Sequence, residues 1–338
     1  MNNLSRTVQE ITKAASVELG DVIQHLWSGY GVIQRAVLHG LEYEGGNQRL
    51  PVVIKHIDIS QVRGNPRGWG NDIAHHRKVT SYGVEKVFYE QYANRCSERC
   101  TVPRLIATHE KPDATGWLII LSDLDSQGFP HRKDLIKTRD IEACLAWLAH
   151  FHATFLGSAG EPLWPIGTYW HLATRPDELK AMPEGRLRDY ATKIDQRLNQ
   201  ATYKTLVHGD AKIANFCFSE SHPPSVAAVD FQYVGGGCGI KDVAYLISSC
   251  LSDQEAERFE ESLLNFYFDQ LRKALSETHP EIPFADLELE WRELYKYAWA
   301  DFCRFLQGWS PGHWKLNAYS NRITRSVIKK LDHQSGGR

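Results

Sequence analysis

Apolar runs of strand length, separated by glycine- and asparagine-containing breaks, fill the first third of the chain. Residues 22–27, 32–41 and 50–59 are the first candidate strands. The second and third are joined by Glu44-Gly45-Gly46-Asn47, whose consecutive glycines tolerate positive φ and suit a hairpin turn. Residues 60–74 hold three glycines and a proline and read as a long loop. Within 75–96 the period changes. Val84, Val87, Phe88, Tyr92 and Ala93 recur at steps of three and four, predicting a helix with one face on a sheet. Strands at 104–108 and 117–121 complete a small antiparallel sheet.

Beyond residues 122–130 the periodicities become long and helical, with Ile141, Leu145, Leu148, Phe151, His152 and Phe155 on one stripe. Two short apolar runs, at 205–207 and 226–229, interrupt this half, and each is followed at once by charged residues. They read as short strands that present a loop. From about residue 255 to 331 the pattern is helical again and rich in aromatics. The class is therefore α+β. A sheet-and-helix lobe spans 1–124, and a larger, mainly helical lobe spans 125–338.

Charge changes this picture only by exclusion. Lys plus Arg number 39 and Asp plus Glu 41, a net charge of −2, so no global field recruits nucleic acid or an anionic membrane. The first residues are polar and charged where a signal peptide needs an apolar stretch. No apolar run approaches the ~20 residues of a membrane span. The expectation is a soluble, cytoplasmic protein. Its 7 cysteines form no CxxC pair, and the CSERC stretch of Cys96 and Cys100 lacks the further ligands a thiolate metal site needs.

The chemistry concentrates in Leu206-Val-His-Gly-Asp-Ala-Lys-Ile-Ala-Asn-Phe216 and in Val229-Asp-Phe-Gln232. Phosphoryl transfer needs a carboxylate for the acceptor hydroxyl, metal ligands for the nucleotide phosphates, and a cation for the developing charge. This composite supplies all three. Asp210 is the candidate base, Asn215 and Asp230 the candidate metal ligands, and Lys212 the cation near the transferring phosphate. So sparse an oxygen set suits Mg²⁺, which completes its shell with water and phosphate oxygens. A lone His-Gly-Asp would equally cap a turn. A strand, that triplet, an Asn at +5 and a second strand ending in Asp-Phe-Gln together point to catalysis.

These motifs, HGDxxxxN and the Asp-Phe-Gln variant of Asp-Phe-Gly, resemble those of the aminoglycoside phosphotransferase and choline kinase superfamily, relatives of the protein kinases. The chain resembles in particular the ecdysteroid kinase-like group, through Tyr82-Gly-Val-Glu85-Lys-Val-Phe88-Tyr89 and through Leu121-Ser-Asp-Leu124 ahead of Gly128-Phe129. It departs from that pattern at Ser122, at Tyr82, and at Ala211 with Lys212, none of which removes a catalytic group. The resemblance covers roughly residues 25–250 and implies a two-lobed protein-kinase-like fold with ATP and Mg²⁺ as cofactors. It further implies that Lys55 contacts the nucleotide phosphates and pairs with Glu85. Gly29 and Gly31, in Ser28-Gly-Tyr-Gly31, become a short glycine-rich phosphate loop. Residues 121–125, with Leu121 and Asp123, become a hinge that binds adenine through its backbone. Asp242 becomes a brace of the catalytic loop.

The reaction so implied is transfer of the γ-phosphate of ATP to a hydroxyl of a small molecule. Trp291, Tyr295 and Trp299 share a helix face and offer either a lipophilic alcohol or an amino alcohol a surface, or simply a core stripe. Three alternatives stand beside a small-molecule kinase. A nucleotide-binding pseudokinase shares the fold but commonly lacks the lysine, the base or a metal ligand. A protein kinase needs an activation loop, and only 11 residues separate Asp230 from Asp242. A metal-dependent hydrolase wants further His and Asp ligands that the sequence does not place.

Overall fold

A computed structural model describes residues 3–26, 29–41, 48–60, 72–111 and 115–336. The predicted hairpin turn at 44–47 and most of the predicted loop at 60–74 lie outside these residues, as does Ser28. The chain divides into two compact units, one of Met1–Arg95 with Val102–His131 and one of Cys96–Thr101 with Arg132–Arg338.

The first unit opens with a helix, α1 (Asn3–Thr12), followed by strands β1 (Ser16–His25), β2 (Gly31–Leu41) and β3 (Gln48–Asp58). Helix α2 (Asp72–Val87) leads to β4 (Leu105–Glu110) and β5 (Gly116–Ser122). The five strands form an antiparallel sheet in the order β1-β2-β3-β5-β4. Alternation along β3 sorts its residues between two faces. Val52 and Ile54 pack with Leu38, Ile120 and Val8 of α1, while Lys55 takes the other face. Helix α1 was not expected from the sequence, although Leu4, Val8 and Ile11 recur at steps of four and three. It is nonetheless the cover of that sheet face.

Two boundaries also differ. Strand β1 begins six residues before the predicted start at residue 22, as Ser16-Val-Glu-Leu pairs with β2 through polar and apolar positions alike. The register shifts around Val22, and Val22 and Ile23 are half exposed. Their apolarity therefore marked neither the strand's start nor the core. After α2 the chain makes a wider π-helical turn over Phe88–Tyr92. The extra residue per turn rotates the face, so that Tyr89 is buried and Tyr92 only partly so.

The second unit begins with α3 (Thr138–Thr154), whose predicted stripe from Ile141 to Phe155 is buried throughout. Short helices α4 (Pro176–Ala181), α5 (Arg186–Asp189) and α6 (Ala191–Asn199) lead to strand β6 (Thr205–Val207). Strands β7 (Phe216–Phe218), β8 (Val226–Ala228) and β9 (Gly235–Gly237) follow, pairing as β6 with β9 and β7 with β8. Helices α7 (Ile240–Cys250), α8 (Asp253–Thr278), α9 (Phe284–Trp309) and α10 (Ala318–Gly336) complete it. Trp291, Tyr295 and Trp299 of α9 are all buried, with the Trp291 indole donating to the Tyr203 carbonyl at 3.1 Å and that of Trp299 to Ser320 Oγ at 2.9 Å. Their stripe is core. Among the described residues no helix is long and apolar enough to cross a membrane.

Candidate active site

The two ladders β6/β9 and β7/β8 hold the chemistry-bearing loops by their ends. Asp210 lies three residues after β6, Asn215 immediately before β7, and Asp230 two residues after β8. Gly209 makes the turn between His208 and Asp210. Its φ is +80°, and a Cβ there would meet the Tyr233 carbonyl oxygen at 2.1 Å, so only glycine fits. Asp230 also adopts a left-handed φ of +70°, a conformation that aspartate tolerates better than most residues.

A chain of buried hydrogen bonds fixes this turn. Asp242, in the first turn of α7, accepts from the backbone N–H of His208 at 2.6 Å and from that of Gly209 at 3.0 Å. His152 of α3 lies 3.2 Å from the same carboxylate through Nε2, and its Nδ1 is 2.8 Å from the Tyr267 hydroxyl on α8. Three helices thereby converge on two peptide groups. His208 ties the loop to the residue after β8, its Nε2 lying 3.0 Å from the Val229 carbonyl and its Nδ1 accepting from the Asp210 N–H at 3.3 Å. That pairing requires the tautomer protonated on Nε2. It gives His208 a structural task at both nitrogens.

Asp210 is the convergence point. Its Oδ2 is 3.0 Å from Lys212 Nζ and 3.2 Å from Asn215 Nδ2, and its Oδ1 accepts from the Tyr245 hydroxyl at 3.1 Å. Burial pushes its carboxyl above the ordinary carboxylate value; Lys212 opposes this, and the nearby charge of Asp230 adds to it. Lys212 is itself raised, because Asp210 and Asp230 outweigh the opposing effect of burial. Asn215 also donates to the Asp210 backbone carbonyl at 2.8 Å. With its amide nitrogen committed to Asp210, its Oδ1 points the other way. Asn215 Oδ1 and the Asp230 carboxylate are hard oxygen donors, and they fit Mg²⁺ rather than a metal that prefers nitrogen or sulfur. Among the described residues no cluster of three or more His, Cys, Asp or Glu forms a ready-made metal cage.

The first unit carries the other predicted residues. Lys55 Nζ and Glu85 Oε2 form a buried ion pair at 2.5 Å, and Nζ lies 5.6 Å from the Tyr82 ring centre. The turn before β2 is closed by the Leu26 N–H to the Gly31 carbonyl at 2.8 Å and the Gly29 N–H to the Leu26 carbonyl at 3.2 Å. Gly31 is required by packing as well as by φ, since a Cβ would sit 1.9 Å from the His56 carbonyl oxygen. Leu121 is buried near the end of β5. Asp123 accepts from Arg35 Nε at 3.2 Å and from the Asp125 N–H at 3.0 Å, while its own N–H donates to the Pro51 carbonyl at 3.3 Å. Its carboxylate and N–H are thus engaged by β2, β3 and the turn itself.

Sequence reasoning passed over Tyr245, His152 and Lys315. Tyr245 stands three residues beyond Asp242 on α7, a spacing that shares a helix face, so a signal was there to read. Lys315 had none. It lies more than a hundred residues from Asp210 along the chain, yet its ammonium is 4.8 Å from the centre of the Tyr245 ring.

Residues 171–279, which contain His208 through Asp242, match the model of the ecdysteroid kinase-like family. The resemblance is to ecdysteroid kinase-like proteins. The fold is found in solved structures as well. An amicoumacin kinase in complex with AMP-PNP, Ca²⁺ and Ami is 13% identical, with a TM-score of 0.50 over 97% of this chain and 93% of that one. A candidate aminoglycoside phosphotransferase from Ralstonia eutropha is also 13% identical, with a TM-score of 0.51 over 96% and 93%. At such identities the likeness is one of fold. No curated protein matches the chain by sequence. The matched segment thus contains the hydrogen-bonded loop around Asp210, and the likeness of fold spans nearly the whole chain.

Proposed function

We propose that this protein is an ATP- and Mg²⁺-dependent phosphotransferase acting on a hydroxyl of a small molecule. The observation that carries the reading is the environment of Asp210, a carboxylate in hydrogen-bond contact with Lys212, Asn215 and Tyr245 on a loop braced by Asp242. The family model it matches and its structural neighbours, an amicoumacin kinase in complex with AMP-PNP among them, support the same class. Asp210 orients the acceptor hydroxyl and takes its proton, and its raised proton affinity strengthens it as a base. Lys212 stands 3.0 Å from that carboxylate and balances the charge that develops on the transferring phosphoryl group.

Asn215 and Asp230 hold Mg²⁺, which neutralises charge on the nucleotide phosphates. Lys55, held by Glu85, contacts those phosphates, and the turn with Gly29 and Gly31 covers them. Residues 121–125, with Leu121, receive the adenine. The test is thermal unfolding with ATP in the presence and absence of Mg²⁺. A ligand at a hundred times its Kd adds about 2.7 kcal/mol of stability. A rise in Tm that requires Mg²⁺ is expected; no rise at millimolar nucleotide would sink the reading.

A further inference from the structure

The sheet face that α1 covers is not completely filled. A cavity of about 380 Å³ opens there beside Leu4 and Thr7 of α1, a volume in the range of small-molecule sites. Every residue that lines it belongs to the first unit. Its floor follows from strand register. His56 of β3 and His109 of β4 both pair with Leu118 of β5, so the two imidazoles stand in one row with Leu118 between them. Their backbones are two strand spacings apart, about 10 Å. Alternation puts His56 with Val52 and Ile54, on the face opposite Lys55. The cavity is therefore separate from the pair of Lys55 and Glu85.

The charges at the cavity cancel. Gly116 pairs with Asp58, and a Cβ on it would lie 3.2 Å from Cδ and Cε of Lys111. The missing side chain lets Lys111 cross β5 and reach Asp58 Oδ2 at 2.9 Å, while Oδ1 accepts from the Ser60 N–H at 3.0 Å. Lys111 and Asp58 are the only ammonium and carboxylate in the lining, and each neutralises the other. Burial lowers the His56 pKa against the pull of Asp58, and the ring is uncharged at neutral pH. A ligand with a net charge would be desolvated here without a counter-ion.

The specific signal is Gln34. It pairs with Ile54 from β2, lines the cavity and is only 8% exposed, yet its amide has no hydrogen-bond partner among the described residues. A buried amide left unpaired is costly and calls for an explanation. Its carbonyl accepts beside an NH₂ that donates, so its complement is an edge that does both side by side, as a lactam or a carboxamide does. The row of His56, Leu118 and His109 is longer than a single ring. It suits a ligand with an apolar middle and polar groups at both ends.

We propose that this cavity is a binding site for an uncharged ring compound bearing a lactam or carboxamide edge, which Gln34 receives while His56 and His109 meet its other polar groups. The proposal goes beyond the phosphotransferase reading and does not rest on it.

Uridine is the probe, since its base carries a ring N–H between two carbonyls and its sugar adds hydroxyls. Its ring N-methyl derivative lacks only that donor, and orotidine adds a carboxylate to the same nucleoside. Ligand-observed NMR titrations of the full chain, with and without Mg²⁺ and ADP, compare the three. Uridine should bind whether or not the nucleotide is present, and the other two at least about tenfold more weakly. Gln34→Leu should lower uridine affinity about tenfold and erase the preference over the N-methyl compound. Gln34→Met replaces it if the leucine variant does not fold, and the three compounds on wild type decide if neither does. Absence of uridine binding leaves the cavity to water only and overturns the proposal. So does displacement of uridine by the nucleotide, equal binding of either derivative, or a folded Gln34 variant with unchanged affinity. Failure of the phosphotransferase reading shows separately, as loss of the Mg²⁺-dependent protection by ATP.

Discussion

Two lysine–carboxylate pairs, one in each unit, are alike in chemistry and differ in setting. In the pair of Lys55 and Glu85 the side chains are 6% and 2% exposed, whereas in that of Lys212 and Asp210 they are 42% and 10%. The first is sealed under Tyr82 and the sheet, and two charges taken from water hold each other in one geometry. The second has one partner buried and braced and the other reaching into solvent. A sealed pair fixes a position; a half-open pair can take part in a reaction. On the proposed function, the difference would separate the group that holds a nucleotide from the group that transforms an acceptor, although both are an acid beside a lysine.

The comparison can be broken most severely at Asp210. Asp210→Asn should lower turnover by about 10²–10⁴-fold while Mg²⁺-dependent protection by ATP survives, read by ADP release and by thermal unfolding. The wild-type acid limb of kcat/KM should lie above the ordinary carboxylate value, because burial disfavours the charged form; a limb at or below that value would remove Asp210 as the base. Next in size is the sealed pair. Glu85→Ala leaves Lys55 buried without its carboxylate and should cost about 3–5 kcal/mol in urea unfolding.

Asp242→Asn probes the brace that gives the half-open pair its fixed partner. It turns one of two carboxylate oxygens, each accepting one backbone N–H, into a donor, and should cost about 1–3 kcal/mol with a fall in turnover but little change in nucleotide affinity. The smallest stability effect belongs to Lys212→Met. An ion pair with a 42% exposed partner contributes under about 1 kcal/mol, so its unfolding midpoint should hardly move even as turnover drops. A loss as large as that of Glu85→Ala would erase the distinction between the pairs.

Much of the candidate site was legible because its residues lie close together in sequence. His208, Asp210, Lys212 and Asn215 fall within eight positions, and a loop that short between two strands has few ways to arrange them. The sheet, the buried stripe of α3 and the helical second half followed from periodicity, since burial repeats with the geometry of each element. Helix α1 was passed over, although Leu4, Val8 and Ile11 carry its helical period. Its value lies in covering Val52 and Ile54 on a face of the sheet that had not yet been identified as needing a cover. The burial of Tyr89 in place of Tyr92 depended on a single wide helical turn, which leaves no periodic mark.

By itself the sequence singled out the acids and lysines of the candidate site, because phosphoryl transfer demands particular groups at short, nearly fixed separations along the chain. Tertiary structure decided how those groups differ from one another. The sealing of Lys55 with Glu85, the bracing of the Asp210 turn by Tyr267, His152 and Asp242, and the seating of Lys315 among Tyr245, Phe302 and Trp314 all join residues distant in sequence. Burial and electrostatic coupling depend on distance through space, and a linear chain records only the distance along itself.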